Sequence, residues 1–100
     1  MRIRSNGIDI HCEISGSGPW LALSHSLCCD GAMWQPQMAA LETRFTVLRF
    51  DTRGHGGSVV SPGPYSLEQL GGDVLALLDA LGIARANFCG ISMGGLTGLW

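Results

Sequence analysis

The sequence predicts an α/β fold in which parallel strands carry helices on both faces, entered through a β-hairpin. Three observations carry that expectation. Apolar runs at residues 20–23, 45–50 and 87–91 alternate with segments of helical period, the pattern of strand–helix–strand units. Those runs are mostly apolar, and residues 20–23 continuously so, as strands covered on both faces require. Two short β-type runs at residues 1–4 and 8–14 flank Asn6-Gly7, a pair that tolerates positive φ at both positions and so closes a tight hairpin.

Each element then has its own signal. Gly16-Ser17-Gly18-Pro19 ends the hairpin, and residues 20–23 form the first buried strand. Pro36 suits the first turn of a helix running to about residue 43, with Trp34, Met38 and Leu41 on one face. Residues 45–50, β-branched and aromatic, form the second buried strand, and residues 51–64 are a long loop rich in Gly, Ser and Pro. Ser66 to Gln69 reads as a capping box with Ser66 as the N-cap. Leu67, Leu70, Val74, Leu77, Leu78 and Leu81 follow at helical spacing, and Gly82 stops that helix. Its Gly71-Gly72 pair costs about 1 kcal/mol per glycine relative to alanine, which suits a site of close packing. Residues 87–91 are a third buried run, from which Ser92-Met93-Gly94-Gly95 turns into a further helix. Residues 1–100 are expected to be part of a single domain with no internal boundary, repeat or low-complexity tract.

Composition sets limits on function. One hundred residues suffice for one small domain at about 100–200 residues each. Six basic residues against eight acidic give a net charge of −2, with no electrostatic footprint for nucleic acid or an anionic membrane. All six are Arg; without lysine, a Walker-A site, a pyridoxal-phosphate Schiff base and a Ser–Lys dyad are excluded. Charged residues are 14%, against about 25% in a typical domain, although a small domain should be the more polar. Such a balance points to part of a larger core, or to a chain covered by a partner. No run approaches the roughly 18 apolar residues of a membrane span, and no leader-like stretch follows Met1. Cys12, Cys28, Cys29 and Cys89 form no C-x-x-C pair, and the adjacent Cys28 and Cys29 suit a disulfide poorly. Reduced, mostly buried thiols in a cytoplasmic protein are therefore expected.

Gly90-Ile91-Ser92-Met93-Gly94 reads G-x-S-x-G between a strand and a helix. A sharp turn in that setting holds the serine in a strained backbone conformation and lifts its hydroxyl above the sheet. Gly90 and Gly94, two residues to either side, leave room where larger side chains would meet neighbouring backbone. The serine then stands at a helix N-terminus, whose N–H groups favour developing negative charge. An ordinary glycine-rich turn with a serine cap is the competing reading, and the strand–turn–helix context weighs against it. Gly54-His55-Gly56-Gly57 and Gly16-Ser17-Gly18 imitate pieces of a dinucleotide fingerprint, but neither completes G-x-G-x-x-G at a strand-to-helix junction.

Together with Asp51-Thr52-Arg53-Gly54-His55-Gly56, the stretch Gly90-Ile91-Ser92-Met93-Gly94-Gly95 resembles the N-terminal half of an α/β-hydrolase, and the likeness covers essentially the whole chain. It is most similar to the 3-oxoadipate enol-lactonases, through Ser26-Leu27, Met33-Trp34-Gln35-Pro36-Gln37, Val47-Leu48-Arg49-Phe50-Asp51, Pro62-Gly63-Pro64-Tyr65-Ser66-Leu67 and Phe88-Cys89-Gly90. The resemblance implies that Ser92 is the nucleophile. Serine in place of the aspartate used by dehalogenases and epoxide hydrolases of this fold implies acyl transfer on an ester, lactone, thioester or peracid. The oxyanion hole would use the backbone N–H of Met93 and that of Leu27, in a loop whose His25 orders it.

No cofactor or metal is implied. The substrate would be a small-molecule ester or lactone, the enol-lactone of the β-ketoadipate route of aromatic-acid degradation. A general esterase or a cofactor-free perhydrolase/haloperoxidase-like enzyme is the alternative within the fold. A non-catalytic half-domain that works only with a complementary chain is the alternative outside it. The family's acid and base follow the serine in the chain, and the eight residues after Ser92 contain neither. They are expected from the remainder of the hydrolase domain or from a complementary chain, which would leave the strand at residues 87–91 as an exposed apolar edge. Asp51 and Arg53 are expected to pair and fix their loop, His55 to hydrogen-bond among turns, and His11 to be exposed or simply packed. Cys28 and Cys29 are expected near the active-site mouth.

Overall fold

The computed structural model describes residues 1–26, 29–58 and 65–99. A hairpin opens the chain: β1 (Arg2–Ser5) runs antiparallel to β2 (Ile8–Gly16), with Ile3 opposite Ile10. Asn6 at φ 50° and Gly7 at φ 82° form the two-residue turn between them, both in the left-handed region that such a turn demands. β3 (Trp20–Ser24) and β4 (Thr46–Phe50) are parallel, and β5 (Asn87–Gly90) runs parallel to β3 on its other side. The sheet order is β1-β2-β4-β3-β5. β2 lies antiparallel against β4, with Cys12 opposite Phe50, so the hairpin is built into the sheet and the sheet is mixed.

Side chains of successive strand residues point to opposite faces, and two cores follow from that period of two. On one face Leu21, Leu23 and Val47 pack with Trp34 and Met38. On the other, Ala22, Leu48 and Phe50 join Ile8, Ile10 and Cys12 of the hairpin, Val74 and Leu77 of the second helix, and Ile83. Helices cover both faces. α1 (Gln35–Leu41) lies on the first; α2 (Leu67–Ala80) lies on the second, where α3 (Met93–Leu99) packs against β5, β3 and α2.

The helix expected to begin at Pro36 is preceded by a 3₁₀ turn, Gly31–Trp34, which starts at Asp30. The Asp30 carboxylate accepts the Ala32 N–H at 2.9 Å, a cap that stabilises the first turn where backbone donors lack partners. Ser66 caps α2 as expected, accepting the Gln69 N–H at 3.1 Å. The reciprocal half of the capping box does not form, because Gln69 Oε1 is buried without a hydrogen-bond partner.

The run at residues 87–91 would be buried inside a larger sheet, and in this chain it is left at an edge. Asn87, Phe88 and Cys89 are exposed, because β5 pairs only with β3 and is an edge among the described residues. Phe88, Ile91, Leu96 and Leu75 are between 38% and 59% exposed, and they crowd around this edge and the adjoining faces of α2 and α3. The expected exposed apolar edge is what the fold presents. Mostly buried thiols were expected, and only Cys12 of the described cysteines proves buried.

Candidate active site

The chain ends of β3, β4 and β5 all lie at one rim of the parallel sheet, where ligands of α/β folds bind. Ser92 stands there at φ 53°, and apart from the hairpin residue Asn6 it is the only described non-glycine residue at positive φ. A side chain held in that region costs about 1–3 kcal/mol, so surrounding structure must enforce it. Two glycines make the enforcement possible. A Cβ on Gly94 would collide with the Ser24 carbonyl oxygen and stand 2.8 Å from that of His25. A Cβ on Gly90 would collide with Gly94 and lie 2.6 Å from the Gly95 nitrogen. The bend is thus pressed against the end of β3, where Ile91 N–H donates to the Ser24 carbonyl at 3.3 Å. Leu96 N–H to the Ser92 carbonyl, 3.0 Å, opens the helical ladder of α3. Ser92 is exposed, and Met93 begins α3, so its N–H has no partner within the helix.

His25 follows β3 directly and has no solvent exposure. Its Nε2 accepts the Thr52 N–H at 2.8 Å, which leaves Nδ1 to carry the proton and donate it to the Ser26 carbonyl at 2.8 Å. Burial pushes its pKa below the ordinary histidine value and the His55 ring adds to that, against the opposing pull of the Ser26 carbonyl, Asp51 and Asp30. His25 is therefore a neutral bridge between two loops, and with both nitrogens engaged it is no general base. The His55 ring lies 5.1 Å from it, tilted by 51°. Leu27, the expected second oxyanion donor, and Cys28 lie outside the described residues.

Residues 51–58 are tied down on all sides. The Asp51 carboxylate accepts the Gly31 N–H at 2.7 Å and the Gly57 N–H at 2.9 Å. The expected pairing of Asp51 with Arg53 does not occur, because backbone donors occupy the carboxylate and the guanidinium turns toward α2. There Arg53 makes two parallel bonds to Asp73, at 2.8 and 2.7 Å, and Asn6 adds a third at 2.9 Å. Both ion-pair partners are buried, and the Asp73 carboxylate holds the guanidinium charged even more firmly than usual. His55 hydrogen-bonds among turns as expected, its Nδ1 to the Arg53 carbonyl at 3.1 Å and its N–H to the Thr52 carbonyl at 2.8 Å. His11, part-exposed on β2, sits 3.4 Å from Glu13.

A surface cleft of about 480 Å³ opens between the 3₁₀ turn and this loop, lined by Cys29, Asp30, Met33 and residues 54–56. No group of three or more His, Cys, Asp or Glu among the described residues could hold a metal ion. No described helix is long and apolar enough to cross a membrane. Two residues of this rim had escaped the reading of the sequence. Thr52 acts through its backbone and leaves no side-chain signal. Asp73 does leave one, since a carboxylate one position before Val74 on the apolar stripe of α2 needs a buried partner.

A mixed sheet in this order, with a strained serine at a strand-to-helix bend, defines the opening half of an α/β-hydrolase. The chain belongs to the alpha/beta hydrolase fold family, which matches residues 19–100. It is 55% identical over 82 residues to 3-oxoadipate enol-lactonase 2 of Acinetobacter baylyi, a match covering 82% of this chain and 31% of that protein. With 3-oxoadipate enol-lactonase 1 of the same organism the identity is 51% over 96 residues, covering 94% of this chain and 36% of the relative. The crystal structure of the enol-lactonase from Burkholderia xenovorans LB400 superposes with a TM-score of 0.97 at 56% identity, over 99% of this chain and 40% of that one. The chain thus spans between 31% and 40% of the length of these relatives.

Proposed function

We propose that this chain supplies the nucleophile and the oxyanion side of a carboxylic-ester or lactone hydrolase acting on 3-oxoadipate enol-lactone in aromatic-acid degradation. The observation that carries the reading is the positive φ of Ser92 at a bend pressed against β3. Ser92 Oγ attacks the lactone carbonyl while a histidine from outside this sequence takes its proton. Charge on the carbonyl oxygen is met by the N–H groups of Met93 and Leu27, each donor contributing about 2.7–4 kcal/mol to the transition state. Ring opening sends the proton from that histidine to the departing enol oxygen, which stays on the same acyl chain. Water, losing a proton to the histidine, then attacks the acyl-enzyme, and the acid leaves as Ser92 Oγ takes that proton back. His25 holds the Leu27 loop, and Gly90 and Gly94 keep the bend tight. No cofactor takes part.

The acid and base come from the remainder of a hydrolase domain, in the same polypeptide or a complementary one. The greater length of the relatives supports this, as does the place of β5 at the sheet edge among the described residues, whose apolar flank suits an added strand. That edge also supports a second reading, a half-domain with no activity until its complement docks.

Both readings are tested by co-expressing the chain with the segment of the Burkholderia xenovorans enol-lactonase that lies beyond the matched region. The pair is expected to hydrolyse the enol-lactone in preference to simple aryl esters, and Ser92→Ala to remove that activity. Hydrolysis that survives Ser92→Ala would overturn the first reading; turnover at enzyme-like rates by the chain alone would overturn the second.

A further inference from the structure

We propose that Arg53 and Asp73 form a positioning device for the hydrolytic site, setting the tautomer and placement of His25 through the Thr52 amide. The proposal rests on the reading of the loop after β3 as the carrier of an oxyanion donor. Thr52 is held from both directions: its N–H lies on His25 Nε2 at 2.8 Å, and its carbonyl accepts the His55 N–H at 2.8 Å. One residue on, the Arg53 guanidinium is clamped by two bonds to Asp73. Its carbonyl is engaged by His55 Nδ1, and the His55 ring returns to lie against His25. The hairpin turn joins the same carboxylate through Asn6. The loop after β3 thus holds Thr52, and α2, itself joined to the hairpin turn, holds Arg53.

Buried ion pairs are often no better for stability than apolar packing, so stability alone is a weak reason for this one. Position is a stronger reason. His25 has two ring nitrogens and its proton sits on Nδ1 because Thr52 occupies Nε2. With Thr52 displaced, Nε2 is free to take the proton, and the Nδ1–H bond that fixes the Ser26 carbonyl is no longer obligatory. The groups that act on the charge of His25 are the Ser26 carbonyl, His55 and Asp51 of the loop after β4, and Asp30 ahead of the 3₁₀ turn. The proposed route from Asp73 to His25 runs through the backbone of residues 52 and 53.

The ¹⁵N-labelled chain, observed through its histidine ring nitrogens, tests this without reference to hydrolysis. In the native chain His25 is expected as the Nδ1–H tautomer, titrating below the ordinary histidine range. Asp73→Asn is expected to mix the tautomers and raise the midpoint by about one pH unit, a tenfold change in proton affinity. Arg53→Lys, which keeps the charge but cannot make two parallel bonds, should move it the same way by less. Leu78→Ala, in the same helix and away from the cavity that Thr52, Arg53 and Asp73 line, should lower thermal stability and leave the midpoint unchanged. An unchanged His25 in both network variants overturns the proposal, as does an equal shift in Leu78→Ala. Where Asp73→Asn yields no folded chain, Arg53→Lys decides. A result of either sign here leaves the Ser92→Ala hydrolysis test independent.

Discussion

Thr52 and His25 join the loops after β4 and β3 through one hydrogen bond, the Thr52 amide to His25 Nε2 at 2.8 Å. With Nδ1 on the Ser26 carbonyl, the ring is satisfied only when neutral. Protonation would put two donors face to face in a buried site.

A pH dependence of stability follows, and its sign is set by the lowered pKa of His25. Between that value and about 6.5, where an unfolded histidine titrates, the unfolded chain binds a proton that the folded chain excludes. Stability from this source is complete above about pH 6.5–7 and falls as the pH drops through that range. Thermal midpoints measured across it should decline, and His25→Gln should be less stable at high pH with a flatter decline. An equal slope in the two proteins would contradict the assignment.

Replacement of Ser92 separates strain from chemistry. Ser92→Gly removes the penalty for a side chain at φ 53° and should raise stability by up to about 1 kcal/mol, offset in part by glycine's own entropy. Ser92→Val should lower it by at least about 1 kcal/mol, because a β-branched residue is least tolerant of that region. Urea midpoints give both values, and neither variant should react with an acylating probe.

Two glycines should respond in opposite directions. At Gly72 a Cβ finds nothing nearer than Asn6 Nδ2, 3.7 Å away, and the residue lies inside α2, so Gly72→Ala should stabilise by about 0.4–1 kcal/mol. At Gly94 the obstacle is the backbone of β3, which cannot swing aside, so Gly94→Ala should cost about 1–3 kcal/mol or more. Denaturant unfolding of both variants checks the contrast.

Asp73→Ala should cost about 3–5 kcal/mol, since it strands the buried Arg53 guanidinium. Breaking the exposed Arg4–Asp9 pair should cost under about 1 kcal/mol. Only the second effect should fade with added salt, which unfolding in low and high salt would show.

Local rules made much of this molecule readable in advance. Asn6-Gly7 closes its hairpin and Ser66 caps α2, because each depends on residues within one turn of chain, and the G-x-S-x-G pattern marks the bend at Ser92 that β3 then enforces. The antiparallel union of β2 with β4 was not readable, since pairing between distant strands leaves no mark on either. Exposure of Phe88 and Cys89 depends on which strand lies alongside, not on their own apolar character. The partners of Asp51 are not legible in side-chain chemistry, because they are the backbone N–H groups of Gly31 and Gly57. The tight bend at Ser92 and the closeness of Gly90 and Gly94 to neighbouring backbone could be anticipated, whereas the bond from the Thr52 amide to His25 could not.

Fluorophosphonate labelling, mapped by peptide mass spectrometry on the chain paired with its complementary segment, bears most directly on the nucleophile. The adduct is expected on Ser92 and should vanish in Ser92→Ala. An adduct on any other residue, or labelling that persists in the variant, would contradict the assignment of Ser92 as the attacking group.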